Sequence, residues 1–205
     1  GLYSGVSVYP GIRGLGVDDE GYLYVGVAEG MAHLDGRFVR KFAPDGSVVP
    51  PEFGRGTIGA MRGLGVDSTG CVYVTDLNNR CVWKFAPSGD QIDKGGSSGN
   101  GDGQFRNTYL MTVDDDDNLW IADYGLSRVC KFSSEFEFLG WIGKGTATSG
   151  WHVPGTGETA LSGTAAHGAG PGEFSGCSSV AVDRFGHVYV ADPQNDRIQK
   201  FRPTQ

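Results

Sequence analysis

The chain lacks any uninterrupted apolar run of the ~18 or more residues needed for a spanning helix, so a membrane span is not expected. Basic residues are scarce: 17 Lys and Arg stand against 24 Asp and Glu, giving a net charge of −7. That balance argues against nonspecific binding to nucleic acid. The four cysteines, Cys71, Cys81, Cys130 and Cys177, contain no C-x-x-C pair, which argues against a zinc knuckle. An even count admits one or two disulfides, but Cys71 and Cys81 open successive strands at opposite ends of one hairpin, and Cys81 and Cys130 fall in different registers. Buried free thiols are the expectation. The chain starts at Gly1 with neither an initiator methionine nor a signal peptide, as a processed or excerpted chain would. The localisation expected is secreted or extracellular.

What the chain has in excess is glycine, 35 of 205 residues, without collagen periodicity. Turns account for it, because the chain is built on an internal repeat. The segment VAVDRFGHVYVADPQNDRIQKF (residues 180–201) recurs as MTVDDDDNLWIADYGLSRVCKF (111–132) and LGVDSTGCVYVTDLNNRCVWKF (64–85). A fourth copy, LGVDDEGYLYVGVAEGMAHLDGRFVRKF (15–42), aligns once six extra residues are allowed after Val25. The marker aspartates Asp18, Asp67, Asp114 and Asp183 are 49, 47 and 69 residues apart. Removing the six leaves a unit of about 43, and periods of ~40–45 residues carrying several short strands indicate a β-propeller.

Each unit reads as a four-stranded antiparallel meander. A first apolar run ends in the marker aspartate, a second follows a glycine, a third ends in Lys-Phe, and Pro44-Asp45-Gly46 or Pro87-Ser88-Gly89 leads to a weaker fourth. Gly21, Gly70 and Gly186 share a turn register, for which Asn118 is expected to substitute in the third copy. Tyr24, Tyr73, Trp120 and Tyr189 share another, read as packing between blades. The units span residues 11–52, 53–98, 99–143 and 168–205, with an insertion at 144–167, in one domain.

With VAVD, G-x-VYVAD and N-x-RIQKF in that order, residues 180–201 resemble the NHL repeat, and the resemblance extends over residues 11–201 apart from the insertion. It implies an all-β fold, an NHL-type β-propeller, usually six-bladed, of which four blades are recognisable here. Two arrangements stay open. Residues 2–9 could supply the outer strand that the last unit lacks and close a four-bladed ring, or the four units form an arc of a larger ring. The arc would leave two blade faces to be covered by other chain segments or by self-assembly.

Several local motifs carry less than their patterns suggest. Residues 54–59 match a dinucleotide fingerprint in form, but with 101–105 and 170–174 they resemble the family's interblade turns and enter strands rather than a helix. The acidic run 114–117 lacks the central glycine and distal glutamate of a calcium loop and reads as a solvated turn. Asp123/Arg128 and Asp192/Arg197 read as structural ion pairs across one hairpin loop.

Function is sought where the copies disagree. The residues just before each first strand, Arg13, Arg62, Tyr109 and Ser178, vary on a fixed framework, as grafted recognition residues would. They fall on the face that carries the loops between second and third strands. The insertion is expected to project towards the same face, with Trp151 as anchor and His152 beside it. The favoured reading is a noncatalytic recognition or scaffold module that binds a protein, peptide or glycan partner through this face, within a sensor or extracellular assembly. No cofactor, metal ligand or catalytic residue is assigned. The alternative is a metal-dependent lyase or hydrolase, since NHL-like propellers include such enzymes. It would need His33, His152 and His167 to meet over the channel mouth, although none recurs in a fixed register or in an H-x-x-x-H spacing. His187 belongs to the opposite face.

Overall fold

A computed structural model describes residues 11–27, 37–155 and 167–202. Four antiparallel blades stand side by side. The first orders β1 (Ile12–Val17), β2 (Leu23–Val27), β3 (Phe38–Phe42) and β4 (Val48–Phe53) from the inside outwards. The second repeats this with β5 (Met61–Val66), β6 (Val72–Asp76), β7 (Cys81–Phe85) and β8 (Gln91–Gly95). A two-residue parallel ladder, β9 (Ser97–Ser98) with β10 (Gln104–Phe105), ties the connection to the third blade. That blade holds β11 (Thr108–Val113), β12 (Leu119–Asp123), β13 (Arg128–Phe132), β14 (Phe138–Lys144) and a fifth strand, β15 (Ser149–His152). The last has β16 (Ser179–Val182), β17 (Val188–Asp192) and β18 (Arg197–Phe201). The proposed closing strand, residues 2–9, lies outside the described residues.

Strand alternation places each blade between two neighbours. In β6, Val72 and Val74 pack towards the first blade while Tyr73 packs towards the third, so every residue of the strand is buried. The same two registers build each interface in turn. Leu64, Met111 and Val180 receive the previous blade, and Val39, Val82 and Val129 receive the next. Their counterparts at the ends of the series are open: Leu15 in the first blade is 61% exposed and Ile198 in the last is 72% exposed. Among the described residues, the outward sides of the first and last blades are therefore left open. Cys71, Cys81, Cys130 and Cys177 are all free thiols, the last three buried.

The marker aspartate is explained by its hydrogen bonds. One oxygen of Asp67 accepts the N–H groups of Thr69 and Cys71, both at 2.9 Å, which closes the turn between β5 and β6. Its other oxygen accepts the Tyr73 hydroxyl at 2.9 Å. Asp18, Asp114 and Asp183 repeat the pattern with Tyr24 at 3.1 Å, Trp120 Nε1 at 2.8 Å and Tyr189 at 3.1 Å. The lysine of the Lys-Phe pair lies over the same ring, from Lys131 at 4.8 Å to Lys84 at 5.6 Å. In the first three blades the shared aromatic thus packs between blades, as expected, whereas Tyr189 lies on the open side of the last; in all four it also carries a polar bond that the register alone did not show.

Two expectations are corrected. The turn glycines have φ of +83°, +79° and +76°, but in the third blade the left-handed residue is Asp117 (φ 61°), not Asn118. Asp117 stands three residues after its marker, as the glycines do, and it accepts the backbone and hydroxyl of Ser68 on the neighbouring blade at 2.8 and 2.6 Å. Of the two hairpin ion pairs, Arg197–Asp192 forms at 3.0 Å. Arg128 instead donates Nη2 to the carbonyls of Gly101 and Gln104, at 2.9 and 2.7 Å. The carboxylates in this register hold the interblade connections: Asp76 accepts N–H from Gly59 and Ala60, Asp123 from Arg106 and Asn107, and Asp192 from Ser175.

Candidate functional site

Arg13, Arg62 and Tyr109 lie within β1, β5 and β11 rather than before them, while Ser178 immediately precedes β16. The strands extend further because each is irregular here. Pairing jumps from Ile12 to Gly14, from Met61 to Leu64 and from Thr108 to Met111. Such bulges re-aim a side chain out of the sheet's alternation. In the second blade Thr75 holds the bulge, accepting the Gly63 N–H at 2.7 Å and donating its hydroxyl to the Tyr109 carbonyl at 2.7 Å. Close approach of the inner strands requires glycine here: a Cβ on Gly63 would stand 2.9 Å from the Met111 backbone nitrogen.

Arg13 borders an axial cavity of about 360 Å³ with Gly14, Leu15, Leu64, Leu110 and Ser179, so all four inner strands contribute. Arg62 and Tyr109 belong to a ladder beside it. The Arg62 guanidinium lies 5.5 Å from the centre of the Tyr109 ring, which stacks on Tyr124 at 4.8 Å and 21°. Tyr124 comes from the loop between β12 and β13, and its hydroxyl accepts Gln194 Nε2, from the corresponding loop of the last blade, at 2.5 Å. Gly176 backs the ring, where a Cβ would come within 2.7 Å of it. The Gln194 oxygen accepts the Ser175 hydroxyl at 2.8 Å, and His167 Nδ1 meets the same hydroxyl at 2.8 Å. Three blades are joined on one face. Nothing in the repeat marks Tyr124 and Gln194, because the loops between second and third strands carry different residues in each copy.

The described start of the insertion, residues 144–155, is placed elsewhere. Residues 149–152 form β15 on the outer edge of the third blade, pairing Trp151 with Ile142 and His152 with Trp141. The His152 ring stacks on Trp141 at 3.9 Å and its Nε2 meets the Gly143 carbonyl at 3.2 Å. Trp151 packs 5.7 Å from Trp120, within the cluster shared by the third and fourth blades. The apolar pair therefore adds a strand instead of reaching the channel mouth, because backbone pairing at an open edge satisfies groups that a loose loop would leave to water. His167 is on the ladder and His33 lies outside the described residues. Among the described residues, no group of three or more His, Cys, Asp or Glu side chains could hold a metal ion. No helix among them is long and apolar enough to cross a membrane.

These blades define a β-propeller. The neighbouring solved folds agree: a streptogramin B lyase superposes over 97% of this chain and 56% of its own, with a TM-score of 0.61 and 11% identity. A gluconolactonase from Xanthomonas campestris gives 0.55 over 90% of this chain and 56% of its own at 17% identity. A protein of unknown function from Bacteroides thetaiotaomicron gives 0.60 over 92% and 46% at 18%. At such identities the likeness is one of fold. In sequence, the chain is 31% identical over 160 residues to mouse NHL repeat-containing protein 3, spanning 71% of this chain and 40% of that protein. No protein-family model matches the sequence. The chain belongs to the NHL-repeat β-propeller family.

Proposed function

We propose that the chain is a noncatalytic recognition module that binds a protein or peptide partner through the face carrying Arg62, Tyr109, Tyr124 and Gln194. The observation that supports this reading is the ladder itself. Its side chains differ from blade to blade, come from bulges and loops rather than from the repeated framework, and are stacked into one fixed arrangement across three blades. Tyrosine and arginine supply large contact area with little loss of freedom, which is why they dominate binding hot spots. The mouse relative is known by its repeat, and the enzymes among the structural neighbours share the fold at 11–17% identity, so neither transfers an activity.

The test is capture of a partner by a photo-crosslinking residue at position 194, with position 185 on the opposite-face turn as control. Tyr124→Ala and Arg62→Glu are expected to weaken the captured complex by tenfold or more, on the order of 1.4 kcal/mol or above. Equal capture from both faces, or full affinity in both variants, would overturn the assignment of this face.

A further inference from the structure

We propose that Arg62 receives a carboxylate of the bound peptide, an assignment that rests on the recognition reading above and names its chemistry. Among the described residues, Arg62 makes no ion pair and no hydrogen bond, and its Nε is buried without a partner. Several other cations of the framework are ion-paired, and Arg128, whose Nε and Nη1 are also buried without partners, is fully enclosed where Arg62 is only part-buried. Lys84 pairs with Glu135 at 2.8 Å, Lys131 with Asp114 at 3.8 Å, Lys144 with Glu173 at 3.7 Å and Arg197 with Asp192 at 3.0 Å. A buried donor left unpaired is costly, so a position that keeps one points to an acceptor arriving from outside.

The surroundings specify which acceptor. The Arg62 guanidinium lies over the Tyr109 ring, which stacks on Tyr124, and Tyr124 is in turn backed by Gly176 and bonded to Gln194, so the aromatic platform beneath the cation is built before anything binds. The Tyr109 hydroxyl also makes no hydrogen bond among the described residues, leaving a neutral donor beside the cationic one. A planar fork matches a planar carboxylate through two parallel bonds. Arg13 occupies the same register on the adjoining inner strand, β1, and borders the axial cavity. A polyanion is disfavoured because the chain carries a net charge of −7 and the ladder contains no lysine.

The experiment follows the Arg62 Nε–H resonance of the unmodified 205-residue chain during titration with defined small probes. N-acetylglutamine offers only a terminal carboxylate, N-acetylglutamate α-amide only a side-chain one, and N-acetylglutamine amide neither. Movement with either acid and none with the neutral compound is the expected result, and the stronger acid identifies terminus or side chain as the source. No movement with either acid, equal movement with the neutral compound, or tighter binding of inorganic phosphate would overturn the proposal. Against the captured partner, Arg62→Gln should weaken binding about tenfold, the worth of one charge-assisted hydrogen bond. Retained affinity in Arg62→Gln with loss in Tyr124→Ala removes the carboxylate assignment alone. Retained affinity in both removes the recognition reading as well.

Discussion

Removing the hydroxyl of Tyr73 should cost far more than removing that of Tyr189, although the two residues occupy one register of the repeat. Each hydroxyl donates to its marker aspartate, at 2.9 Å to Asp67 and 3.1 Å to Asp183. Tyr73 is fully buried between the second and third blades, whereas Tyr189 lies on the open side of the last blade. In Tyr73→Phe, one Asp67 oxygen loses its donor where water cannot replace it. The penalty for stranding a buried acceptor, larger for a charged one, is about 2–3 kcal/mol. For a domain of this size ~1 kcal/mol moves Tm by about 2–4 °C, so the expected drop is about 4–12 °C. In Tyr189→Phe water takes the vacated position, and the expected cost is within ~0.5 kcal/mol, a shift of at most about 2 °C. Thermal unfolding by circular dichroism or calorimetry on both variants measures the difference. Equal shifts would refute the reasoning, because they would show that the repeat, and not its burial, sets the value of this bond.

Gly63→Ala should destabilise by about 1–3 kcal/mol, because its Cβ would press on backbone atoms of Leu110 and Met111 that cannot move independently. Gly101→Ala meets only the flexible Gln104 side chain and is expected to be close to neutral in the same denaturant titration. Trp151→Ala should lower stability by about 2–4 kcal/mol, since the ring packs with Trp120 and Ile142, and an unchanged Tm would contradict its place between the blades. Burial pushes the thiols of Cys81 and Cys130 up to about 12 and that of Cys177 upwards as well, so only Cys71 should react promptly with a disulfide reagent at pH 8. Folded thiols stay protonated while unfolded ones ionise above ~8.5, so their contribution to stability is complete below that pH and is lost as pH rises towards about 12. Rapid labelling of two or more thiols per native chain, or a flat alkaline stability profile, would count against this packing.

The repeat by itself determined the propeller, the blade order and the registers that pack, because local alternation and turn chemistry recur in each copy and need no long-range information. It also determined where the copies disagree, at Arg13, Arg62, Tyr109 and Ser178. Tertiary structure decided what those positions do. Bulges at the starts of the inner strands turned Arg62 and Tyr109 towards a partner from a different loop, Tyr124, and no spacing in the sequence encodes a contact between blades. It likewise decided that Trp151 and His152 extend the third blade as β15 rather than guard the channel. A lone apolar knot in a Gly-rich insertion has no periodicity to fix its register, so only the edge of β14 and the cleft beside Trp120 could say where it would dock.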